Sequence, residues 1–329
     1  MDISIYQHIW FFIIGFLLTV YSILDGFDLG IASLMPVLAK NEKEQKQIMD
    51  SIWPVWDGNE VWLITGGAAL FAAFPFAYAT VFSGFYLALM LVLFALIFRA
   101  VSMEFWYYNE TRRKVWAWAF TIGSVLPALL FGVALGNVIY GIPLDLNMNF
   151  TGNFFTLLRP FPLVIGLLGL SAILLQGCTW AAYKIEGDVA KRAKSFMNKI
   201  IIANLVLFIL AIALTIALLP SIVSNIFGWL GALLYAIALS YVYVSNRDNH
   251  PFNAFIGSSI SFVSLWIMAG AALYPNLVRS TIEAYNLTIF NASSTQLTLN
   301  IMFIIALIGM PIVIAYTMYV YKIFKGKIS

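Results

Sequence analysis

Asp25 and Asp28 lie in "SILDGFDLGIASLMP", residues 22–36, within an otherwise apolar run from Ile9 to Leu38; Asp57 and Glu60 lie in "WDGNEVWLITGGAALFAAFP". Residues three apart on a helix share a face, so each acidic pair projects from one side of its segment. Carboxyl groups set in apolar sequence have two uses. They lock helices together as a polar cluster, or they carry protons or coordinate ions, the usual work of carboxyl groups inside a membrane. A carboxylate facing lipid is costly, so all four are expected to point into a bundle interior. Gly26, Gly30, Gly58, Gly66 and Gly67 would let backbones approach closely there. Arg99 either pairs with the acids or serves as a plain interfacial anchor.

The elements that must position these groups are membrane helices. Hydrophobic residues make up 62% of the chain and charged residues 10%, against roughly 25% charged in soluble domains. Several apolar stretches reach the roughly 20 residues needed to cross a bilayer, and the short alternating segments of a barrel are absent. The expected fold is all-α, one polytopic helical domain over residues 1–329. Its nine spans centre on residues 8–38, 54–74, 77–98, 115–138, 160–182, 198–220, 225–245, 253–275 and 297–321.

Charge placement orients the bundle. With the N-terminus outside and the C-terminus cytoplasmic, every one of the 18 basic residues except Arg159 and Arg279 falls on the cytoplasmic side. Asp25 then lies roughly 25 Å along the first span, in the cytoplasmic half. The formal net charge of +3 is a by-product of this sorting and points to no nucleic acid. Residues 1–7 carry no basic residue and the following apolar run is long, so the first span is expected to be retained. The single cysteine, Cys178, leaves no intrachain disulfide and no cysteine-rich metal site. The longest loops, 141–159 and 276–296, fall outside, and in "SSTQ" Ser293 and Gln296 suit a capping box that opens the last helix.

The segments "DGFDLG", "WDGNEVWLITGGAALFAAFP", "FSGFYLALMLVLFALIFR", "TGNFF" and "SSTQLTLN" run in order from the first span to the last. Together they resemble the second subunit of cytochrome bd-type quinol oxidases. The resemblance implies a complex of the bacterial cytoplasmic membrane that oxidises quinol and reduces dioxygen to water. Haems b and d are then held by subunit I, the partner of this chain, with room left for a small third subunit and for a structural quinone. By the same resemblance Asp25, Asp28, Asp57 and Glu60 form a proton path from the cytoplasm, Asp57 and Asp25 foremost, and Trp62 lines an oxygen-access route. The chain's own histidines agree, since His8 and His250 fall on opposite sides of the membrane and cannot jointly ligate a haem. The competing reading is a proton- or sodium-coupled secondary transporter, against which stands the lack of an internal inverted repeat.

Overall fold

The computed structural model describes residues 3–329. Helix α1 (Ile3–Leu38) has 36 residues, about 54 Å of helix, and so projects beyond a hydrocarbon core of roughly 30 Å. Helix α2 (Glu42–Ile52) is short and amphipathic: the Asn41 side chain accepts from the Glu44 N–H at its start, and Ile48, Met49 and Ile52 are buried beneath it. The chain returns through α3 (Trp56–Ala73), α4 (Pro75–Gly84) and α5 (Tyr86–Tyr108). Then follow α6 (Arg113–Tyr140), α7 (Pro160–Lys184), α8 (Asp188–Leu218), the single turn α9 (Pro220–Val223), α10 (Ile226–Arg247) and α11 (Pro251–Leu273). A small antiparallel hairpin, β1 (Asn276–Val278) and β2 (Leu287–Thr288), precedes α12 (Gln296–Ile323).

Among the described residues, 8 helices are long and apolar enough to cross a membrane. The expected span at 54–74 corresponds to α3, which has 18 residues and opens with Asp57 and Glu60; these acids set it apart from the eight. The expected span at 77–98 is corrected more substantially. The chain there forms α4, breaks at Phe85, and continues as α5 to residue 108. The break has a steric partner in the loop between α6 and α7, because a Cβ on Gly84 would lie 2.9 Å from the Phe150 side chain. The opening of α12 is also corrected. Its N-cap is Thr295, whose side chain accepts from the Thr298 N–H, whereas the Ser293 hydroxyl accepts from Gln7.

Ion pairs and hydrogen bonds gather distant segments at one end of the bundle. Arg113 meets Glu42 at 2.7 Å, Arg192 meets Glu44 at 2.6 Å, Lys194 donates to Asn249 at 2.5 Å, and Lys327 lies 3.7 Å from Glu186. At the other end the 141–159 loop joins the hairpin, where the Ile142 N–H donates to Arg279 O and Arg159 donates to Gly141 O. The basic segments therefore share one end, as the sorting of charge in the sequence requires.

Helix α1 is the axis of the packing. Its stretch from Asp25 to Met35 is buried without interruption, as a helix surrounded on all sides must be. The tightest approach is to α7, where a Cβ on Gly30 would sit 2.1 Å from Ile173 O and one on Gly177 would sit 2.2 Å from the Gly30 carbonyl carbon. Only glycine permits two helix backbones to meet this closely. One apolar cluster, with Phe27, Met103, Cys178 and Trp180, fills the α2 end, and a second, with Trp10, Trp62, Phe74 and Phe85, fills the hairpin end. The acidic residues of α1 sit where the two clusters meet.

Candidate functional site

Arg99 of α5 is the centre of the site. Its side chain is fully buried, as are Asp25 and Asp28. The guanidinium Nη2 lies 2.8 Å from Asp25 Oδ1 and 3.9 Å from Asp28 Oδ2, and Nη1 donates to Glu60 Oε1 at 3.0 Å. The choice left open by the sequence is thus decided: Arg99 lies inside α5 as the counter-ion of the acids, not at an interface. Three carboxyl groups share one guanidinium, so acidic groups outnumber basic ones in the described cluster. Asp25 Oδ2, Asp28 Oδ1 and Arg99 Nε are buried without a protein hydrogen-bond partner. The Tyr21 hydroxyl, one turn before Asp25, faces that carboxylate.

The acidic residues of α3 divide. Glu60 keeps 24% of its side chain exposed while bonded to Arg99, so it forms the rim of the cluster. Asp57 is exposed on α3 and lies outside the buried group, close enough to Glu60 to act on it electrostatically. The expectation that all four acids point inward is therefore corrected for Asp57. The reason is the stripe that α3 buries: Asn59, Trp62, Gly66, Ala69 and Ala73. Steps of three and four place those residues on one side and Asp57 on the other.

Asn59 is the residue that reasoning from charge overlooked. It is 1% exposed, its Nδ2 donates to Asp28 Oδ2 at 2.7 Å, and its Oδ1 accepts from the Tyr321 hydroxyl of α12 at 2.8 Å. The signal was present, since Asn59 begins the same stripe as Trp62. Trp62 is itself 4% exposed, edge-on to the exposed Phe16 ring. Of the glycines, Gly66 meets Leu18 of α1, whereas Gly58 and Gly67 have open space beside them.

The two histidines take no part in the cluster. His8 Nδ1 lies 3.1 Å from the Tyr274 hydroxyl, just past the end of α11. His250 caps the beginning of the same 23-residue helix, which separates the two by roughly 35 Å. They do not fit the joint ligation of one haem.

Residues 6–324 match the family of cytochrome bd terminal oxidase subunit II. The chain belongs to that family. The cytochrome bd-I ubiquinol oxidase subunit 2 of Escherichia coli strain K12 is 36% identical, over 100% of this chain and 97% of the relative. The cytochrome bd ubiquinol oxidase subunit 2 of Bacillus subtilis is 30% identical over 98% of this chain and 96% of the relative. The fold is similar to a chain of the bd oxidase from Geobacillus thermodenitrificans, with a TM-score of 0.82 at 16% identity, covering 97% of this chain and 98% of that one. As a bd oxidase subunit II, the chain is a multi-pass membrane subunit of a haem-containing terminal oxidase, an oxidoreductase complex, and works with another subunit. The transporter reading is set aside by this family membership.

Proposed function

We propose that this chain supplies the proton-uptake route of a complex that oxidises quinol and reduces dioxygen to water. The observation that carries the reading is the group of three carboxyl residues, from two helices, around one fully buried guanidinium. Reduction of dioxygen consumes protons. A site that takes them from the cytoplasm needs titratable groups that can load and unload, held apart from lipid. Asp57 on the exposed face of α3 and Glu60 at the rim are the outer steps, and Asp28 and Asp25 are the inner ones. An aspartate on a lipid-facing surface is costly, so the face bearing Asp57 is the one covered by subunit I, which holds haems b and d. The N-terminus is outside, the C-terminus cytoplasmic, and the membrane is the bacterial cytoplasmic membrane.

Two further roles accompany this reading. Trp62, with Phe16 between it and the surface, would admit dioxygen, an apolar molecule that concentrates in lipid. An apolar cavity of about 350 Å³ lined by Phe11, Leu18, Phe131 and Trp266 would take an isoprenoid tail.

The test uses the whole complex in proteoliposomes, with oxygen consumption, vesicle alkalinisation and haem content read on one preparation. Asparagine keeps the shape and hydrogen-bonding capacity of aspartate but has no group that takes up and releases a proton at physiological pH. Asp25→Asn and Asp28→Asn are expected to slow proton-coupled turnover about tenfold or more with haem retained, and Asp57→Asn to slow it less. Normal rates and alkalinisation in all three variants would refute the route. For Trp62→Ala the expected change is in the oxygen dependence of turnover, with the quinol dependence kept; equal effects on both would return Trp62 to packing.

A further inference from the structure

Asn59 holds a position that one side-chain type fills well. It must donate to Asp28 and accept from Tyr321 at the same time, and a carboxamide does both, whereas aspartate would only accept and serine falls short. The amide is 1% exposed, so water does not substitute freely for either partner. Tyr321 belongs to α12, a helix whose buried set among the described residues is Leu299 alone. Its ring packs edge-on to Phe27, and it lines a cavity of about 330 Å³ together with Ser51, Tyr183, Lys184 and Lys325 at the basic end of the bundle.

We propose that Asn59 and Tyr321 are positioning residues that couple the protonation of Asp28 to the seating of α12 at the wall of this cavity. The coupling follows from hydrogen-bond polarity. With Asp28 ionised, the Asn59 amide N–H donates to the carboxylate and the carbonyl accepts from Tyr321. When Asp28 takes its proton on Oδ2, the oxygen that faces Asn59, the carboxylic O–H donates there, so the amide turns over, accepts from Asp28 and donates to the Tyr321 oxygen. The Tyr321 proton then points away from Asn59. The other groups facing Asp28 are Asp25 and Arg99, with Glu60 beyond them; Asp25 also acts on Tyr321 electrostatically, but the hydrogen-bonded link from Asp28 to α12 runs through Asn59. The inference rests on the proton route proposed above and adds to it the residues that hold and report the state of Asp28.

The experiment uses the purified complex with subunit I. Asn59→Leu keeps the branching and heavy-atom count of the side chain and removes both hydrogen bonds; Tyr321→Phe keeps the ring against Phe27 and removes one. Donation to a carboxylate favours its ionised form, so Asp28 in Asn59→Leu should hold its proton to higher pH. The acid limb of the turnover profile is expected to move up by about one pH unit, with haem content and the KM for quinol unchanged, and Tyr321→Phe should give a smaller shift in the same direction. The infrared carbonyl band of the protonated carboxyl, assigned by its loss in Asp28→Asn, should move in both variants. If Asp28→Asn slows turnover while Asn59→Leu and Tyr321→Phe keep the parent pH profile and band, the coupling is overturned and the route stands. If Asp28→Asn leaves turnover intact, the route falls, and the band still decides the coupling: shifted supports it, unshifted overturns it. Should Asn59→Leu fail to assemble, Tyr321→Phe carries both readouts.

Discussion

Arg99 is the residue on which the site depends most, because nothing else described within its reach carries positive charge to Asp25, Asp28 and Glu60. Removing one member of a buried charged group leaves its partners uncompensated and costs about 3–5 kcal/mol, whereas neutralising the whole group is often tolerated. Arg99→Met is therefore expected to abolish or sharply reduce accumulation of the complex. Combining it with Asp25→Asn, Asp28→Asn and Glu60→Gln should restore accumulation without restoring turnover. The check is haem recovered per unit membrane, with oxygen consumption on the same material; equal accumulation of Arg99→Met and the parent would show that the guanidinium does not stabilise the fold. Charge alone pointed to the acids, and the apolar setting of Arg99 within "FALIFRAVSM" was the hint that it lay inside a helix. Asn59 carries no charge and was passed over for that reason, although it stands in register with the buried stripe.

Helix α2 shows how an element is held against the bundle through a titratable contact. The Arg192 side chain bonds Glu44 and keeps its carboxyl below the usual carboxylate range, against the opposing effect of partial burial; Arg192 Nε also donates to Leu38 O at the end of α1. A carboxyl group lowered in the folded state contributes stability above its unfolded value and loses it as pH falls through the folded value. The anchoring of α2 should therefore weaken below about pH 4, by no more than about 1 kcal/mol for a contact at the surface. Protease susceptibility of the segment joining α1 and α2, measured against pH, should rise in the parent at low pH. In Glu44→Gln it should already be raised at neutral pH and show less acid dependence; identical profiles would remove Glu44 from the account. The existence of the long helices was legible because apolar runs of that length have few alternatives in a membrane. The break at Phe85 was not, and neither was the close approach of Gly84 beside it to Phe150, 66 positions further on.

At the scale of the whole molecule, the separation of His8 from His250 along α11 predicts what this chain does alone. Expressed without subunit I it should show no stoichiometric Soret band, and expressed with it the complex should carry the haem spectrum and consume oxygen with a quinol donor. A stoichiometric band on the isolated chain would overturn the assignment of the haems to subunit I. Helix α12, pinned near its start by Trp10 and Tyr6 and near its end by Tyr321, otherwise leaves its apolar surface open. Exposed Ile304, Ile308 and Ile312 suit either lipid or another apolar helix.

The medium, the helical class and the gathering of basic segments at one end were determined by the sequence alone, because they depend on composition and on the length of apolar runs, quantities that survive without knowing who packs against whom. The long in-order segments were likewise enough to indicate the family. Tertiary structure alone decided that Arg99 is the counter-ion, that Asp57 faces outward while Asn59 faces in, and that Tyr321 closes the chain of contacts from the last helix. Each of these depends on the rotation of one helix about its axis relative to its neighbours. Spacing of three or four residues defines a face, but only the packing of α1 against α3, α6 and α7 decides which way that face points.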